Sequence, residues 1–132
     1  MEIIEHPAEV RLRLRAPSLG GLAAIGGRAL AGLELGRDPG AAQGAWREVA
    51  VEGRDREAVL VNWLNELIGL AETERWVAAE FVVIQAADTM LRMRARGVTV
   101  DETPSNVKAA TFYNLRIAEV PGGVEAEVVL DV

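Results

Sequence analysis

The chain has 132 residues, 50% of them hydrophobic and 26% charged, which predicts one folded domain over residues 1–132 and argues against disorder. Its formal net charge of −6 argues against sequence-independent binding of nucleic acid by the surface as a whole. The absence of cysteine excludes disulfides, thiolate metal sites and thiol catalysis, and fits a cytoplasmic location. Glu2 and Glu5 stand where a signal peptide would be basic, and the uncharged run Leu19 to Gly27 is too short and glycine-rich to span a bilayer, so no membrane contact is expected.

Glu5-His6-Pro7-Ala8-Glu9 places carboxylates at one limit of a strand-like run. Val10 to Ala16 then alternates strictly, which predicts a strand with Val10, Leu12 and Leu14 inward and Arg11, Arg13 and Arg15 outward. Pro17 stops that strand, and Ser18 is the expected N-cap of a helix from Leu19 to about Leu33. Gly20, Gly21, Gly26, Gly27 and Gly32 each cost this helix about 1 kcal/mol relative to alanine, so tertiary packing must hold it. Gly36 to Gly44 reads as a loop and Trp46 to Val51 as a short strand. Asp55 caps the strongest helical pattern, in which Val59, Leu60, Trp63, Leu64, Leu67 and Ile68 share one face. Trp76 to Ala87 reads as a largely buried strand, turning at Ala87-Asp88 into an alternating strand from Thr89 to Arg96. A polar loop from Val98 to Pro104 precedes a β-forming segment from Asn106 to Ala118. Pro121-Gly122-Gly123 then turns the chain into a last strand, Val124 to Val132.

The residues that could carry chemistry are few. Arg11, Arg13 and Arg15 echo Arg92, Arg94 and Arg96; side by side, the two strands would present six guanidiniums to phosphate or an acidic protein, although solvent-facing strand surfaces are the plainer reading. Gly21 and Gly26 have phosphate-loop spacing, but Gly27-Arg28 follows where lysine and a hydroxyl residue are needed, so that reading is rejected. His6 is the only histidine, which leaves no catalytic triad and no ordinary zinc site. Glu9 and Asp131 would make a two-carboxylate site for a hard cation if the chain ends lie side by side; separately, each is an exposed strand end. Lys108, Thr111 and Asn114 bring a cation, a hydroxyl and an amide along one strand-like segment.

Four blocks resemble the archease family, in the family's order and across nearly the whole chain. Glu5-His6-Pro7-Ala8-Glu9 resembles its E-H-T-A-D opening, and Leu60-Val61-Asn62-Trp63-Leu64-Asn65-Glu66-Leu67 its L-L-Y-x-W/F-L-x-E-L helix. Val107 to Leu115 is similar to its V-K-A-x-T-Y-H-x-L strand, and Val128-Val129-Leu130-Asp131-Val132 to its V-V-L-D-I/V ending. The resemblance implies a mixed α/β (α+β) fold: a mostly antiparallel, curled or barrel-like sheet with two packed helices. It also implies a non-catalytic accessory protein that promotes guanylylation and multiple turnover of a GTP-dependent tRNA-splicing RNA ligase, touching RNA only indirectly. A divalent cation, calcium or magnesium, would be held by Glu9, Asp131 and the backbone of Val132, with His6, Lys108 and Thr111 in support. The chain departs from the family pattern at Pro7 (threonine), Glu9 (aspartate), Arg11 (glycine) and Tyr113 (histidine). The competing readings are a divergent module binding RNA or an acidic protein through its arginine strands, and a small metal-dependent enzyme.

Overall fold

Period-two alternation and two side-chain caps set the order of elements. The computed structural model describes residues 2–6, 9–42, 44–102, 104 and 106–132, with the backbone alone for 4–6. In chain order these form β1 (Glu2–His6), β2 (Glu9–Ala16), α1 (Leu19–Leu35), β3 (Arg47–Glu52), α2 (Arg56–Glu74), β4 (Trp76–Ala87), β5 (Met90–Thr99), β6 (Ala109–Thr111), β7 (Ile117–Val120) and β8 (Gly123–Asp131). Ser18 accepts a hydrogen bond from the Gly21 amide at 3.1 Å, and Asp55 from the Ala58 amide at 2.8 Å, so both expected caps form.

All strand pairs are antiparallel. A five-stranded sheet runs β1-β2-β8, with β6 and β7 sharing the far edge of β8, and a three-stranded sheet runs β3-β5-β4. Neither sheet closes, so the arrangement is an open α+β fold, not a barrel. Both helices touch both sheets: α1 packs on β2 and β4, and α2 on β3, β4 and β6. The main core joins Leu12 and Leu14 from β2, Leu22 and Leu30 from α1, Trp63 and Leu64 from α2, Met93 from β5 and Leu130 from β8, and a smaller cluster gathers Ala31, Ala71 and Val77.

The glycines of α1 let it approach both sheets. A Cβ at Gly26 would meet Leu14 Cδ1 at 3.1 Å, and one at Gly27 would meet Phe81 Cζ at 2.6 Å. The helix therefore wedges between β2 and β4, gaining burial where its own propensity is poor.

Three expectations need correction. Asn106 to Ala118 is not one segment: a turn closed by the Leu115 amide on the Phe112 carbonyl (3.0 Å), with Asn114 at φ 49°, splits it into β6 and β7. β4 has the expected limits, but only its first half is buried. Val82, Val83 and Ile84 are 50, 41 and 40% exposed, because α1 begins opposite Val83 and Ala86 and leaves the hairpin tip bare. β5 continues to Thr99, into the expected loop, where Trp76 and Val77 of β4 supply partners for Thr99 and Val98.

Candidate functional site

Pairing between β2 and β8 brings the two ends of the chain together. Glu9 lies directly opposite Asp131, His6 of β1 pairs with Glu9, and Ala109 of β6 pairs with Asp131. One row of residues thus crosses four strands, spanning about 14 Å at ordinary strand spacing. Directly opposed residues share a face with Cβ atoms about 5 Å apart. The register therefore brings the two suspected carboxylates onto one face.

The rest of the row is built by the block from Val107 to Leu115. The Lys108 amide donates to the Asp131 carbonyl at 2.8 Å, which seats β6 on the end of β8. Lys108 itself is exposed, and no partner for its ammonium lies among the described residues. The Thr111 hydroxyl donates to the Val129 carbonyl at 3.0 Å and accepts from the Tyr113 amide at 3.4 Å, so it braces the strand and turn. Val132 is half-buried against the core. The expectation for the His6 side chain, and those for Pro7 and Ala8, lie outside the described residues.

Asn65 was not singled out as a site residue, yet it holds β6 from the helix side. Its amide donates to the Ala110 carbonyl at 3.1 Å and accepts from the Ala110 N–H at 2.7 Å. One side chain thus imitates a neighbouring strand at the free edge of β6. An asparagine beside the buried face of an amphipathic helix was the available signal.

The electrostatics of the row are set by Arg11. Its Nε donates to Glu9 Oε1 at 3.2 Å, and its terminal nitrogen reaches Glu127 Oε1 at 3.5 Å. Glu127 also accepts from Arg13 at 3.1 Å, and Arg13 reaches Glu2 at 3.2 Å. A ladder of alternating sign therefore runs Glu9, Arg11, Glu127, Arg13, Glu2 over the outer face of three strands. The arginines expected to face outward do so, but Glu127 of β8 and Glu2 of β1 pair with Arg11 and Arg13, while Arg15 donates to the Pro121 carbonyl at 3.2 Å. The hollow beyond them is lined by Arg13, Arg15 and Arg116 against Glu2, Glu125 and Glu127, three charges of each sign. β2 and β5 lie in different sheets, so no six-guanidinium surface forms.

This arrangement bears on the cation. Glu9 and Asp131 are donors of the right type for calcium or magnesium, but calcium takes six to eight oxygens. Among the described residues no group of three or more histidine, cysteine, aspartate or glutamate side chains could hold a metal. One of the two carboxylates is already bound to a guanidinium. The described donor set fits a closed ion pair and does not fit a tight divalent-cation site.

An open α+β fold with two helices packed on antiparallel sheets, its second and last strands paired to juxtapose two carboxylates, defines the class. The chain belongs to the archease family: the model of the Archease protein family (MTH1598/TM1083) matches residues 1–132. It is similar to Protein archease of Pyrococcus abyssi, 34% identical over 84 residues that make up 58% of this chain and 59% of that one. It is also similar to Protein archease of Methanosarcina acetivorans, 27% identical over 99% of this chain and 94% of that one. The match to the Pyrococcus protein thus covers less than two-thirds of that relative's length. The fold is similar to the solution structure of Methanobacterium thermoautotrophicum protein 1598, with a TM-score of 0.77 at 24% identity, covering 99% of this chain and 97% of that one. It is similar also to the crystal structure of an archease from Thermotoga maritima described as a possible chaperone, with a TM-score of 0.69 at 18% identity, covering 100% and 97%.

Proposed function

We propose that this chain is a non-catalytic accessory protein of a GTP-dependent tRNA-splicing RNA ligase, promoting the ligase's guanylylation and its multiple turnover. The observation that carries this reading is the meeting of three of the four family blocks along one row, from His6 and Glu9 through Asp131 to Ala109. The fourth block supports that row, because Asn65 tethers β6 to α2. The partner's contact would be a protein surface, with RNA touched only through the ligase. Phe112 and Tyr113 favour such a contact: they are 51 and 61% exposed in the turn that follows β6, the strand that pairs with the Asp131 end of β8. Exposed aromatics beside a polar row are the usual anchors of protein interfaces. The reading requires no cation step. The arginine-strand alternative is weaker, because two of β2's three guanidiniums, Arg11 and Arg13, are taken up by Glu9, Glu127 and Glu2.

The test is multiple-turnover RNA ligation and ligase guanylylation by the ligase from the same source, with and without this protein. Stimulation is expected, with no ligation or nucleotide turnover by the protein alone. The Asp131→Ala and Phe112→Ala/Tyr113→Ala variants should each lose at least tenfold of the stimulation while keeping their circular dichroism. A competent ligase indifferent to the wild-type protein would overturn the reading.

A further inference from the structure

We propose that Arg11 takes the place of a divalent cation in this chain, so that its carboxylate row is closed by an internal guanidinium and works without metal. Arg11 stands on β2 between β1 and β8, paired in register with Ile4 and Val129. From there it bridges Glu9 at 3.2 Å and Glu127 at 3.5 Å, linking a carboxylate of its own strand to one across the sheet.

Any cation at the row must share Glu9 with Arg11, whose Nε already holds Oε1. It would place two further positive charges beside a guanidinium that Glu127 also anchors, so repulsion opposes its binding. Asp131 is the one other carboxylate in register with Glu9, and it is exposed, so water competes for it. The side chains of Arg11 and Glu9 are 35 and 30% exposed, so this pair alone would be weak. It belongs, however, to the longer ladder through Glu127, Arg13 and Glu2, in which each guanidinium holds two carboxylates. Glutamate's extra methylene lets residue 9 reach along its own strand to residue 11, two positions on and on the same face. Glu9 and Arg11 are also two of the positions at which the chain departs from the family pattern. The two departures compensate each other: one supplies the reach and the other the charge.

The inference rests on the proposed function only in taking the row as the functional end. Its test needs no ligase, so the two can fail separately. CaCl2 and MgCl2 are titrated calorimetrically into metal-stripped wild-type protein and into the Arg11→Gly, Arg11→Gln and Arg11→Gly/Glu9→Ala variants. Melting curves are taken in each salt and in EDTA. Wild type should show no saturable heat up to millimolar CaCl2 and the same melting temperature in CaCl2 and EDTA. Arg11→Gly and Arg11→Gln should bind calcium at least tenfold more tightly than wild type, and the double variant should lose that gain. The glutamine variant keeps a strand-compatible side chain, so it remains informative if glycine loosens β2. Micromolar binding by wild type, or an affinity unchanged when Arg11 is replaced, would overturn the inference.

Discussion

The indole of Trp63 is fully buried, and its Nε1–H donates to the Ala23 carbonyl at 2.9 Å, joining α2 to α1. Its ring meets that of Phe81 edge-on, with centroids 5.7 Å apart. Trp63→Phe would remove the second hydrogen bond to a carbonyl that keeps its helical one and would leave a void, so a loss of about 1–3 kcal/mol is expected from urea unfolding. Glu34 is the one described charged residue buried in the core, and burial pushes its carboxyl up to about 8. Between the ordinary carboxylate value near 4.5 and 8, the folded chain keeps a proton that the unfolded chain releases. Stability therefore falls as pH rises through that window, because the folded state binds more protons there. Glu34→Gln should melt close to wild type at pH 4 and well above it at pH 8.5. A variant that gains nothing at high pH would show that burial does not raise the Glu34 carboxyl above the ordinary range.

Among the elements, α1 is the one whose composition and packing disagree. In an exposed helix, Gly27→Ala would stabilise by about 1 kcal/mol. Here the new Cβ would lie 2.6 Å from Phe81 Cζ and 3.2 Å from Leu67 Cδ1, so overpacking should win by about 1–3 kcal/mol, read as a lower melting temperature. α2 behaves as its sequence says: Asp55→Ala removes the cap on the Ala58 amide and should cost about 1 kcal/mol without changing the fold. β6 is the opposite case. Three residues cannot hold themselves in place, and this strand depends on β8 on one edge and Asn65 on the other. In Asn65→Ala, amide exchange at Ala110 should accelerate while exchange in β5 stays as in wild type. Equal acceleration in both would mean that Asn65 supports the whole fold and not this strand.

At the scale of the whole molecule, the row that joins Glu9 and Asp131 exists because β2 and β8 are neighbours although they are far apart in sequence. The strand periods, both caps, and the inward faces of β2 and α2 were readable from the chain, since each depends on side chains a few residues apart. Glu9 and Asp131 could be suspected as a pair, but only on the condition that the ends meet. The bare tip of β4 was not readable, because burial of an apolar strand depends on where α1 begins across the fold. The break between β6 and β7 was missed for a related reason: the segment is rich in β-formers throughout, and the αL turn at Asn114 interrupts it.

The sequence by itself determined the local alphabet of this protein: alternation made strands, Ser18 and Asp55 started helices, and the four blocks marked the family. Those signals are short-range, set by backbone sterics and by the spacing of apolar side chains. Only the tertiary structure decided which charge meets which. β2 and β5 carry the same arginine alternation, yet β2 faces Glu127 of β8 while Arg92 of β5 faces Glu48 of β3 at 3.0 Å. Charge pairing falls off over a few ångströms and depends on register between distant strands. The sequence could therefore supply Glu9 and Arg11, two apart on one strand face, but not the register that sets Asp131 and Glu127 of β8 beside them.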